Sequence, residues 1–251
     1  MPCSTGAKKA RNLPAMPLPT PYRISSKVPE SWFPPVEAAI EGVVAYGGTL
    51  STERLIAAYG AGIFPWYGYD SPVLWWSPDP RCILHPERAV VSKSMRTALR
   101  RSGFTFRVNT AFSEVIRSCR DARLNAEGTW IHAEVVEAYE VLFRLGHAVS
   151  VETWQGDRLV GGLYGVAIGH MFFGESMFSK VPNASKAALI ELCRRCAAAG
   201  FGPIDCQMSS PHLLSMGAEE IPRADFIAAL DRYVAPFAGE PSAPLLAACT
   251  P

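Results

Sequence analysis

Three polar side chains in apolar surroundings set the chemistry open to this chain. Glu175 stands at the end of the aromatic-rich run GGLYGVAIGHMFFGES, residues 161–176. Asp205 and Gln207 lie at i and i+2 of the apolar run IDCQ, residues 204–207. Side chains alternate across a strand, so the spacing predicts Asp205 and Gln207 on one face and Cys206 on the other. Glycines at 161, 162, 165 and 169 are expected to leave open space along the neighbouring strands, where backbone or ligand approaches. A carboxylate beside an amide, with a second acid nearby, can hold an amine and orient a polar group against it. The pattern is that of a binding cleft in a sheet.

The other reactive side chains read as structural. Cys193 and Cys196 form a CxxC, but with Leu189 and Leu192 they fall at i, i+3, i+4 and i+7, the buried stripe of one helix. No second Cys or His pair completes a zinc site. His85, His132, His147, His170 and His212 show no ligand spacing and are expected to be structural. The glycine run lacks GxxxxGK and does not lead from a glycine turn into a helix, so it is no phosphate loop. Lys93, Arg96 and Arg100, at i, i+3 and i+7 with Arg101 beside them, make the densest basic helix, a spacing that usually means a solvated face.

These residues need elements to position them, and the 251 residues supply enough chain for a medium domain with a small one attached. Apolar content of 49%, charged content of 19% and a net charge of +1 describe a globular protein whose basic surface must be local. No apolar run approaches 18 residues, which argues against a membrane span. Seven cysteines, an odd and scattered set without a secretory signal, point to reduced thiols in the cytoplasm.

Residues 1–29 hold no acid, five basic residues and six prolines, and are expected to be disordered. An acid-poor basic start also suits a transit peptide, but the prolines at 14, 17, 19 and 21 break any amphipathic helix there. A small N-terminal domain is expected over 30–81, with a helix over 53–60 capped by Thr49, Ser51 or Thr52. It ends in FPWYGYDSPVLWWSPDPR, whose Trp66, Trp75 and Trp76 make either a hydrophobic cluster or a stacking surface. Residues 82–234 then alternate: helix 92–102, a helix turning into a strand near His147, strands 158–168 and 170–176, helix 184–199, strand 203–208, helix 223–233. A mostly antiparallel meander followed by a helix and a further strand predicts an α+β fold. Residues 235–251 are expected to be a flexible tail.

Taken together, FPWY, LWWSPDPR, EGTW, GGLYGV, GESMFSK, NASKAAL, IDCQ and GAEEIPR, in this order and spacing, resemble the leucyl/phenylalanyl-tRNA–protein transferases across residues 36–234. The resemblance implies a GNAT-like acyltransferase domain, a mixed and mostly antiparallel sheet with flanking helices, behind a small N-terminal domain. It implies transfer of leucine or phenylalanine, sometimes methionine, from aminoacyl-tRNA to proteins that begin with arginine or lysine. The new peptide bond marks the acceptor for degradation. No metal or organic cofactor is implied, and a monomer is expected.

The residues suit that chemistry. An aminoacyl ester is already activated, and an α-amine of pKa about 7.7–8.0 is partly neutral near pH 7. Catalysis is then mainly positioning, removal of one proton and stabilisation of an oxyanion. By resemblance Asp205 and Gln207 are the catalytic pair. The proton goes either to the acid through the amide or through the terminal ribose hydroxyl. Glu175 is expected to meet the donor's α-ammonium or to orient that pair; a buried Arg or backbone partner is the plainer role for either acid.

The resemblance lines an apolar slot with Trp66, Trp130, Leu163, Phe172, Met177, Leu192 and Ile204. Phe172 and Glu175 are an odd number of positions apart and share a face only if their strand is bulged. Burial at about 0.8 kcal/mol per methylene favours Leu over Ala by roughly 2.4 kcal/mol, about 60-fold. Excluding Ile must come from pocket shape. The resemblance also places tRNA on Lys93, Arg96, Arg100 and Arg101, contacts that give affinity rather than base readout.

Two other classes compete. A coenzyme A-dependent acetyltransferase on the same fold needs a glycine-containing loop before the helix at 184, where SKVPN has none. A non-catalytic RNA-binding module explains the basic helix and the tryptophans. It leaves Asp205, Gln207 and the apolar slot without a purpose.

Overall fold

The computed structural model describes residues 20–124, 129–237 and 240–248. Residues 1–19 of the segment expected to be disordered, and 238–239 and 249–251 of the expected tail, lie outside it.

The N-terminal unit is a small sheet with one helix. Strands β1 (Tyr22–Ile24) and β2 (Val43–Gly47) pair in parallel. Helix α1 (Thr52–Gly60) starts where the Ser51 side chain accepts a hydrogen bond from the Arg54 N–H. Strands β3 (Phe64–Pro65) and β4 (Leu74–Trp76) complete the order β1-β2-β4-β3. The expectation of disorder over 1–29 therefore fails at Tyr22–Ile24, which finds a backbone partner in Ala45–Gly47. Trp75 is fully buried and its indole N–H donates to Gly47 O, so this tryptophan is core.

The larger unit starts at β5 (Arg81–Leu84) and continues through α2 (Lys93–Ser102), β6 (Phe104–Val108), α3 (Phe112–Leu124) and α4 (Ala133–Arg144). Strands β7 (Ala148–Gln155), β8 (Arg158–Ile168) and β9 (Met171–Ser179) form the meander. There follow α5 (Ala184–Ala198), β10 (Ile204–Gln207), α6 (Pro211–Ser215), β11 (Glu219–Ile221), α7 (Arg223–Tyr233) and α8 (Ala243–Ala248). The sheet order is β11-β5-β10-β9-β8-β7-β6, antiparallel throughout except between β9 and β10. This is an α+β fold of mixed sheets with a small N-terminal domain.

One core packs α1, α3, α4 and α7 with the N-terminal sheet on one face, and a second packs α5 on the other. Cys193 and Cys196 are buried on α5, in the stripe their spacing predicts. The tail differs from expectation: Ala243 and Leu246 are buried, and α8 packs on α5 and β8.

The glycines of β8 serve packing rather than open space. A Cβ on Gly161 would lie 2.4 Å from Ala184 Cβ, and one on Gly165 would lie 2.2 Å from Phe173 O. They let α5 and β9 close onto β8 at van der Waals range.

Candidate active site

Strands β9 and β10 run parallel for only two paired positions, Ile204 with Phe172 and Asp205 with Phe173. Beyond them the strands part, and residues 174–177 and 206–210 line opposite walls of one cavity of about 370 Å³. That size suits a small-molecule site. All seven expected slot residues line it: Trp66, Trp130, Leu163, Phe172, Met177, Leu192 and Ile204. Trp66 lines it from just beyond β3, so the small domain closes one side, and the Trp66 backbone O accepts from the Trp76 indole.

Glu175 lies on the cavity wall because of a bulge. Tyr164 pairs with Ser176 and Gly165 with Gly174, which leaves Glu175 as the extra residue of β9. The bulge resets the alternation, so Phe172 and Glu175 line the same cavity as their spacing required. Glu175 Oε1 accepts from Tyr59 Oη at 2.6 Å, Oε2 lies 3.1 Å from Tyr139 Oη, and the two tyrosine hydroxyls bond each other. Dense protein surrounds the carboxyl except on the cavity side, which keeps the residue partly accessible. Burial is the main cause that pushes its pKa up to about 8, against the opposing pull of the two tyrosines. The acid therefore holds a proton at neutral pH. Three contacts among three groups also require three protons, which only the neutral acid provides.

The pair at 205 and 207 departs from expectation. Asp205 is fully buried and outside the cavity lining, and Arg81 holds both its oxygens, Nε to Oδ1 at 2.8 Å and Nη2 to Oδ2 at 2.7 Å. Arg81 is fixed in turn by Gly62 O, 3.0 Å from Nη1, and by the Phe226 ring, 4.3 Å from its guanidinium carbon. Asp205 Oδ1 also accepts the Gln207 N–H at 3.0 Å. Gln207 has φ +57°, and the ladder to β5 slips between Asp205 and Gln207, which breaks the alternation that would have put both on one face. Gln207 and Cys206 line the cavity; Asp205 stands behind them. Its carboxylate has a buried Arg and a backbone amide for partners, which leaves no free oxygen to hold an incoming amine.

Lys93, Arg96, Arg100 and Arg101 are exposed on α2, without an acidic partner among the described residues. Helix α2 leads into β6, two strand positions from β8, and none of its four basic residues lines the cavity.

Sequence spacing missed several residues of this site. Arg81 sits at the end of LWWSPDPR, and Tyr164 within GGLYGV, but nothing in their spacing sets them apart from core residues. Arg123, from the end of α3, lines the cavity and donates through Nε to Ser176 Oγ at 3.0 Å. His212 lines it too, a place that its spacing did not mark.

Comparison with known proteins identifies the chemistry. The model of the leucyl/phenylalanyl-tRNA protein transferase family matches residues 83–231, and that of the family's N-terminal domain matches 48–79. The leucyl/phenylalanyl-tRNA–protein transferase of Thiobacillus denitrificans (strain ATCC 25259 / T1) is 56% identical over 81% of this chain and 91% of its own. That of Aromatoleum aromaticum (strain DSM 19018 / LMG 30748 / EbN1) is 54% identical over 80% and 86%. Among solved structures, a conserved protein of unknown function from Bacteroides thetaiotaomicron VPI-5482 aligns at a TM-score of 0.41 and 12% identity, over 61% of this chain and 55% of that one.

The chain is thus an enzyme of the aminoacyltransferase class, acting between tRNA and protein. It belongs to the leucyl/phenylalanyl-tRNA–protein transferase family.

Proposed function

We propose that the enzyme moves Leu or Phe, with Met as a further donor, from aminoacyl-tRNA to the α-amine of proteins that begin with Arg or Lys. The product is a new N-terminal peptide bond that serves as a degradation signal. The enzyme acts as a cytoplasmic monomer, and residues 82–234 form a GNAT-like transfer domain behind a small domain at 30–81. No described helix is long and apolar enough to cross a membrane.

The single observation that carries this reading is the cavity between the parting strands, apolar on its walls and bearing Glu175 and Gln207. The donor's side chain occupies the slot formed by Trp66, Trp130, Leu163, Phe172, Met177, Leu192 and Ile204. Its α-ammonium meets Glu175, which ionises when that charge arrives, because an adjacent cation favours the carboxylate. Gln207 orients the ester or donates to the developing oxyanion. Asp205 is a positioning residue: with Arg81 it keeps Gln207 in its left-handed conformation. Helix α2, with Lys93, Arg96, Arg100 and Arg101, holds tRNA phosphates.

The direct test supplies radiolabelled Leu-tRNA and a peptide that begins with Arg, beside an N-acetylated control. Label is expected on the free peptide alone. Label on neither would overturn the acceptor assignment; label on both would exclude the α-amine as nucleophile.

A further inference from the structure

Arg123, in the last turn of α3, is the only Lys or Arg among the described residues that line the cavity. The residue is exposed, yet its Nε donates at 3.0 Å to Oγ of the buried Ser176, the neighbour of Glu175. That bond holds one edge of the guanidinium at the cavity rim. Among the described residues, neither Nη nitrogen has a hydrogen-bond partner and no carboxylate lies within ion-pair range; Asp121, close by in sequence, is paired with Arg120.

No other group of the lining offsets this charge. Glu175 holds a proton at neutral pH. Burial and then the Lys186 charge lower the pKa of His212; the Cys82 thiol and then burial raise that of Cys206, so both stay neutral. A planar, permanent cation with unused donors beside apolar walls suits an anion, and its fork matches the oxygens of a phosphate.

The two substrates of the proposed reaction decide which anion arrives. The acceptor brings cations at its first residue, an α-ammonium and an Arg or Lys side chain. The donor brings a phosphodiester, a few bonds along the ribose from its ester oxygen. With leucine in the slot and its α-ammonium at Glu175, that ribose leads outward past Ser176, where Arg123 is anchored.

We infer that Arg123 binds the donor's last phosphate, the one that joins the terminal adenosine to the rest of the tRNA. This rests on the cavity being the aminoacyl site. Charges then match in pairs: the donor's ammonium with Glu175 as carboxylate, its phosphate with Arg123. The four basic residues of α2 lie outside the lining, so this contact alone seats the ester in the cavity.

The test uses the full chain and two stable donor mimics, an amide-linked leucyl-adenosine and its 5′-phosphate. Both are assayed as inhibitors of leucine transfer from Leu-tRNA to an Arg-initiated peptide. The phosphate is expected to lower the inhibition constant of the parent about tenfold or more, the scale of a hydrogen bond to a charged group. Arg123→Ala should remove that gain and leave inhibition by the unphosphorylated mimic within about threefold. Arg123→Lys, which keeps the charge without the fork, should retain part of the gain. Equal inhibition of the parent by the two mimics overturns the assignment. So does an Arg123→Ala enzyme that keeps the gain, or one that weakens toward both mimics alike. If neither mimic inhibits the parent, the cavity is not the aminoacyl site and the inference falls with that reading.

Discussion

Asp205 and Arg81 meet through both carboxylate oxygens, at 2.8 and 2.7 Å, with neither side chain exposed. Removing one partner of such a pair strands a buried charge, at a cost of about 3–5 kcal/mol. Asp205→Ala is therefore expected to lower the free energy of unfolding by about that amount, and Arg81→Ala to do the same. Denaturant titration measures it. A fully stable Asp205→Ala that has lost turnover would return Asp205 to the role of reacting group.

Glu175 supplies a prediction with a sign. Its folded pKa, about 8, lies above the ordinary value of 4.5, so between those limits the folded state binds more protons than the unfolded one. This contribution is complete below about pH 4.5 and is lost as pH rises toward 8. Glu175→Gln keeps the neutral shape and cannot ionise. The Tm of the variant relative to the parent is expected to rise across that window, which thermal melts in a pH series would check. A difference independent of pH would place the carboxyl in a less buried state.

Lys93, Arg96, Arg100 and Arg101 face solvent on one helix. If they hold phosphates, each replacement by Ala raises the apparent KM for Leu-tRNA and reduces the slope of log affinity against log salt by about 0.7–0.9. kcat is expected to stay constant, because none of the four residues lines the cavity. An unchanged salt slope in the quadruple variant dismisses this helix as the docking face.

Trp130, half-buried between α3 and α4, is a wall of the cavity. Trp130→Ala opens that wall, and the ratio of kcat/KM for Leu and Phe donors is expected to shift by about tenfold, the scale of a changed hydrophobic contact. Inhibition by uncharged tRNA, which lacks the amino acid, should not change. Competition kinetics with the two charged tRNAs separates these outcomes.

Much of this protein was written in residue order. Helical and strand periodicity predicted α2, α5, α7 and the meander of β7, β8 and β9 close to their observed ends, because amphipathic stripes and alternation are local properties. Matching motifs carried the seven residues expected to form the slot, and all seven meet at one cavity. The aminoacyltransferase class was legible for the same reason.

Alternation could not tell which side chains face that cavity, since two departures from regular strand geometry decide it. A bulge turns Glu175 into line with Phe172, and a left-handed residue at 207 sends Gln207 to the cavity while Asp205 turns back to Arg81. Arg81 is 124 residues away in the chain, so no local pattern reveals the bond that removes Asp205 from the cavity. The same holds for the Tyr59–Tyr139–Glu175 ring and for His212. Composition and spacing determined which chemical groups this protein owns; the splay of two strands and the partners met across it decided which of them are free to act, because burial and hydrogen bonding depend on neighbours that only the folded chain brings together.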